Sequence, residues 1–113
     1  MKRLRFSVLA LALAASACTY VEATTTQYVG VQRFPPVDPS TVQVLAKEPS
    51  QRHDRLGEVL LDISVDPPAP VADIEDKLRR EAAKWGANAI YVVRDSITPR
   101  EHKLIGIAIR FRQ

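Results

Sequence analysis

The sequence predicts an α+β fold: a two-layer β-β-α-β-β domain with one amphipathic helix on a small sheet, preceded by a signal peptide and a flexible tether. Three observations predict it. Val71, Ile74, Leu78, Ala82 and Trp85 recur at intervals of 3, 4, 4 and 3, which is one stripe of an α-helix. Val59, Leu61, Ile63 and Val65 recur at every second residue, as on a strand with one buried face. Ile105, Ile107, Ile109 and Phe111 repeat that alternation near the end of the chain.

Residues 1–17 differ in kind from the rest. Lys2, Arg3 and Arg5 make a basic start, and Phe6 to Ala15 is apolar apart from Ser7. This run of about ten residues is too short for a spanning helix, which needs roughly 20. Small residues Ala15-Ser16-Ala17 then lead into Cys18. A charged start, a short apolar stretch and a small-residue cleavage site are the parts of a secretory signal. The segment Leu13 to Cys18 resembles the lipobox of bacterial lipoproteins, with Ala15 where Leu is commonest. Residues 1–17 are therefore expected to be removed and Cys18 to be lipidated, by a thioether-linked diacylglycerol and an N-acyl chain such as palmitate. Each buried CH₂ contributes roughly 0.8 kcal/mol, so two or more chains hold a protein on a bilayer stably where one does not.

Cleavage changes the charge reading. The chain of 113 residues carries 16 Lys+Arg against 13 Asp+Glu, but without Lys2, Arg3 and Arg5 the balance is 13 to 13. A nucleic-acid partner calls for a basic surface, and none is expected here. Cys18 is the single cysteine, which excludes an intrachain disulfide and a cysteine-based metal centre.

Residues 18–40 read as a Thr- and Pro-rich tether, with Thr24-Thr25-Thr26, Pro35-Pro36 and Pro39. Tyr28 to Phe34 holds enough apolar residues to be either a docked arm or part of a free linker. Residues 41–113 are the expected domain. Val42 to Leu45 is a short strand, ended by Glu48-Pro49-Ser50. Gly57 to Val65 is the second strand, stopped by Asp66-Pro67-Pro68-Ala69-Pro70. The helix follows over Val71 to Trp85, with Asp73-Lys77, Glu75-Arg79 and Asp76-Arg80 as acid-before-base pairs at i,i+4. Gly86 stands where a left-handed cap is expected. Ala89 to Val93 is an apolar strand with Ile90 and Val92 toward the helix. Lys103 to Arg112 is the last strand, with Ile105, Ile107, Ile109 and Phe111 inward and Gly106 and Ala108 outward.

The order Leu56-Gly57-Glu58-Val59, a proline-rich break, an amphipathic helix, Gly86-Ala87-Asn88-Ala89-Ile90 and Gly106-Ile107-Ala108 resembles the small α+β domain of the RcsF stress-sensor lipoproteins and the YbjQ-like proteins. The resemblance covers roughly Val42 to Phe111. It implies the fold and an outer-membrane lipoprotein setting. The sensor's own domain carries disulfides and this chain has none, so a disulfide-dependent signalling role does not carry over.

Few residues invite a catalytic reading. Ser64 lies on a strand, Ser50 and Ser96 in loops, and none has a nucleophile motif around it. Glu58 and Asp62 share a strand face about 13 Å apart, beyond the roughly 6.5–9.5 Å of an inverting carboxylate pair. His53 and His102, in predicted loops, make a metal site only if they meet with a third ligand. Gly86-Ala87-Asn88 and Trp85 read as structural, the latter as a plug of the core. The sequence thus predicts no enzyme, no cofactor, no metal and no catalytic residue, with Cys18 as its one site. Leu60, Tyr91 and Val93 leave apolar area on the sheet face away from the helix, to be covered by the Tyr28–Phe34 arm, a second copy or a partner. The expectation is a lipoprotein of the cell envelope, exported to the outer membrane because uncharged Thr19 follows Cys18. Its partners would be the bilayer and an envelope protein. A structural spacer and a small-ligand or metal-binding periplasmic domain are the alternatives.

Overall fold

The computed structural model of the chain describes residues 18–113; the signal-peptide reading of residues 1–17 lies outside them. The strands are β1 (Val21–Gln27), β2 (Gln43–Leu45), β3 (His53–Ile63), β4 (Ala89–Ile97) and β5 (His102–Phe111), and the helix α1 (Val71–Ala83) lies between β3 and β4. The sheet runs β1-β3-β5-β4-β2, antiparallel except for the parallel pair β2–β4. The helix packs on one face of this sheet, so the fold is two-layer α+β as predicted, with the element order β-β-β-α-β-β.

The additional strand corrects the tether. Val21 to Gln27 pairs residue for residue with Ile63 to Gly57 of β3. Val21 and Ala23 pack against the core, while Thr24, Thr25 and Thr26 after them complete the edge of the sheet. Threonine is polar but β-branched, and a half-buried edge strand suits it. Beyond β1, positive-φ Gly30 turns the chain toward the helix side. Phe34 and Val37 dock against the core there, and the Val37 N–H donates to the Ala83 carbonyl at 3.0 Å. The arm is docked, and the folded unit begins before residue 41.

The core between helix and sheet is built from Val59, Leu61 and Ile63 of β3, Ile74, Leu78 and Ala82 of α1, Ile90 of β4, and Leu104 and Ala108 of β5. The facing of β5 is therefore the reverse of the one predicted. Gly106 and Ala108 point to the helix; Ile105, Ile107 and Ile109 point away. The reason is space. A Cβ on Gly106 would stand 3.0 Å from Ile90 and 3.4 Å from Leu78, so the helix sits this close only over small residues.

The helix stripe holds with one exception: Val71, in the first turn, is 69% exposed. Two predicted ion pairs form, Glu75–Arg79 and Asp76–Arg80, whereas Lys77 turns from Asp73 to the buried Glu81 at 3.8 Å. Gly86 ends the helix with φ +76°, the left-handed cap. Half-buried Trp85 lies over Gly57, closing that end of the core. Asn88 bonds over long range rather than locally: its Oδ1 accepts from the Phe111 N–H at 2.6 Å, and its carbonyl from Gln43.

Candidate functional site

Two features of this frame bear on function: the point where Cys18 meets the folded domain, and the sheet face that α1 leaves uncovered.

Cys18 is exposed and uncrosslinked. Ordered structure begins two residues later. The Tyr20 N–H donates to the Ser64 Oγ at 3.1 Å, and the Ser64 N–H donates to the Tyr20 carbonyl at 3.0 Å. Ser64 is buried, and its hydroxyl accepts from the first residue before β1. Of the tether expected over residues 18–40, only Thr19 and Tyr20 separate Cys18 from β1.

The open face carries Thr24 and Thr26 from β1, Arg55, Glu58 and Leu60 from β3, Ile105, Ile107 and Ile109 from β5, and Tyr91 and Arg94 from β4. A bulge between Val92 and Arg94 leaves Val93 exposed and brings Arg94 opposite Ile105. Ile109, Tyr91 and Ala89 are buried as a second, smaller core, joined by Leu45, Ile107 and Phe111. Leu60, Ile105 and Ile107 are only half-buried. The Phe34 end of the arm covers none of this: its ring packs at the helix end with the Arg110 guanidinium 4.3 Å from its centroid.

The end of this face near the β2–β3 loop holds a polar cluster that the sequence did not signal. Glu48, in that loop, accepts from Arg55 at 2.8 Å and faces the His53 Nε2 at 2.8 Å. The His53 ring stands edge-on to Tyr91 and Phe111, with centroids 6.4 and 6.5 Å apart. Burial pushes the Tyr91 phenol up, with Arg55 opposing; burial also raises Tyr28, with Glu58 adding to it. The Arg55 hydrogen bond, and then His53, hold the Glu48 carboxyl below its ordinary range. A depressed carboxyl contributes stability that is present above its unfolded pKa and lost as pH falls through the lower folded value. Loosening of the β2–β3 loop is therefore expected only below the ordinary glutamate range of about 4–4.5. Amide NMR signals of residues 46–52 should broaden there in the wild type. In Glu48→Gln they should already be broadened at neutral pH, and identical wild-type and variant spectra at that pH would contradict the role given to Glu48.

Neither histidine lies in a loop. His53 opens β3 opposite Phe111, and His102 opens β5 opposite Ile63. Nine steps along β5 separate these positions, about 30 Å at strand rise. Each has its own carboxylate, Glu48 for His53 and Asp95 for His102, the latter at 2.6 Å. Among the described residues no group of three His, Cys, Asp or Glu side chains is placed to hold a metal ion. Ser96 lies in β4 rather than a loop. Among the described residues no helix is long and apolar enough to cross a membrane.

No protein-family model matches the chain, and no curated protein does. Among solved structures it is similar to the crystal structure of the Francisella virulence factor FvfA, with a TM-score of 0.60 and 19% identity. The match covers 83% of this chain and 100% of that one, a share larger than residues 41–113 alone. At that identity the likeness shows the fold, which thus includes part of the segment first read as tether.

Proposed function

We propose that this chain is an outer-membrane lipoprotein, cleaved before Cys18 and held by acyl chains on that cysteine, whose domain binds an envelope protein through the open face of its sheet. The anchoring half rests on the basic start, the short apolar run and the small residues before Cys18. Uncharged Thr19 supports export to the outer membrane, and the sequence resemblance to RcsF- and YbjQ-like domains supports an envelope role such as stress sensing.

One observation carries the binding half. Half-buried Leu60, Ile105 and Ile107 form an apolar strip on the sheet face away from α1, bordered by Tyr91, Arg55 and Arg94. An apolar centre with aromatic and arginine neighbours is the composition in which protein interfaces concentrate their binding energy. The Ser64 hydroxyl accepts the Tyr20 N–H and so helps to hold the start of β1. The domain acts by contact, without catalysis and without a cofactor.

A photo-crosslinking residue at Ile107 tests this in intact cells. One discrete adduct is expected, absent when the crosslinker replaces exposed Arg80 on the helix side. Ile105→Asp should weaken the Ile107 adduct several-fold while leaving the protein folded. Adducts of equal yield from both positions would contradict a binding face.

A further inference from the structure

The linkage between Cys18 and the domain is short enough to fix which end of the domain meets the bilayer. Thr19 and Tyr20 span at most about 7 Å when fully extended. The polar headgroup layer accounts for roughly 5–8 Å on each side of a bilayer. A domain tied to lipid through two residues, the second pinned to Ser64, has no room to lift away.

The end that this places at the surface is defined by the strand register. Val21 pairs with Ile63, Ile63 with His102, and His102 with Ile97, so these four residues make one row across the sheet. The same end carries the proline-rich Asp66–Pro70 loop and the start of α1; Thr19, Tyr20 and Val21 share a shallow groove with Asp73, Lys77 and Arg80 along the helix. Three of the large exposed apolar side chains of the described domain gather there: Tyr20 at 49%, Val71 at 69% and Ile97 at 67% exposure. Val29, at 97%, lies at the opposite end beyond β1. Val71 is the member of the helix stripe that the core does not use. Exposed apolar side chains with a tyrosine among them suit the membrane–water interface, where the ring is buried and the hydroxyl hydrated.

We infer that Tyr20, Val71 and Ile97 form a membrane-seating surface, so that the lipidated domain stands on its Cys18 end with the β1–β3 ladder rising from the bilayer and the Glu48–His53 end farthest from it. The occupant is the lipid surface itself. This inference rests on the lipoprotein reading, and it adds an orientation: the open face would then be presented side-on, beside the bilayer.

The mature lipidated protein is the sample, with one added cysteine at Val71, Ile97 or Val29, all exposed and so tolerant of replacement. Acylation occupies the Cys18 thiol, leaving the new thiol for an environment-sensitive dye. The protein is reconstituted in vesicles of phosphatidylethanolamine and phosphatidylglycerol at about 3:1, with or without spin-labelled lipid as quencher. Dyes at Val71→Cys and Ile97→Cys should be quenched at least about threefold more than the dye at Val29→Cys. Flotation with equal quenching at all three positions would overturn the orientation alone. Two labelled thiols per chain, or failure to float with the vesicles, would overturn the lipoprotein reading and the inference together.

Discussion

Gly86→Val is expected to unfold much of the protein at physiological temperature. Gly86 has φ +76°, a region in which an L-residue costs about 1–2 kcal/mol and a β-branched one more. A Cβ there would also stand 2.6 Å from the Phe34 Cβ and 2.6 Å from the Pro35 carbonyl oxygen. Neither is the flexible end of a side chain, so the docked arm has to move, at an overpacking cost of about 1–3 kcal/mol. Together these reach about 2–5 kcal/mol, a large part of the stability of a domain this small. At about 4–8 °C per kcal/mol, the melting temperature should fall by about 8 °C or more. Gly86→Ala keeps both clashes and should fall between wild type and Gly86→Val. Phe34→Ala should not rescue either variant, because the clashing Cβ and backbone oxygen remain. Melting curves from circular dichroism decide this, and an unchanged Gly86→Val midpoint would mean that the arm does not dock at the helix end.

Trp85→Ala is expected to have the next largest effect, about 3 kcal/mol. That is the low end of the usual 3–5 kcal/mol for a large aromatic because the ring is only partly buried. The ring covers Gly57, where an added Cβ would stand 2.7 Å from it, so truncation opens a gap between the end of α1 and β3. Gly57→Ala combined with Trp85→Ala should recover part of the loss but not all, since the Thr26 carbonyl oxygen also stands 2.7 Å from that Cβ. Urea denaturation of the three variants gives the coupling directly. A Trp85→Ala midpoint within error of wild type would show that the tryptophan is not part of the core.

The helix was legible because its stripe, its charged pairs and its glycine stop all agree, and agreement across levels is what makes a segment readable. Strand β3 was legible from Val59, Leu61 and Ile63. Strand β5 was legible as a strand but not in its facing. Period two separates two sets of residues without saying which meets the helix. Here Gly106 and Ala108 take the helix because they are small, and the isoleucines build the open face instead. Strand β1 was missed because Thr24, Thr25 and Thr26 count as polar in a hydropathy reading, though an edge strand needs only Val21 and Ala23 inward.

The candidate site divides in the same way. Cys18 is set by local sequence, so it could be read directly. The apolar open face is legible through Leu60 and Tyr91, but the alternation alone does not place its isoleucines there. The Glu48–His53–Arg55 cluster depends on how a loop folds back over a strand end. His53 and Arg55 at i,i+2 share a face only once β3 is known to begin at His53, and nothing local announces that Glu48 will return to them.

The anchoring and the orientation proposed for this chain depend on what Cys18 carries, and mass spectrometry of the N-terminal peptide measures it. Protein recovered from outer-membrane fractions of a sucrose gradient should begin at Cys18, and its mass should exceed the bare peptide by a diacylglycerol and an N-acyl chain. Cys18→Ala should retain the leader and show no such addition. A wild-type N-terminal peptide with an unmodified Cys18 thiol, or wild-type protein washing into the soluble fraction, would contradict the account.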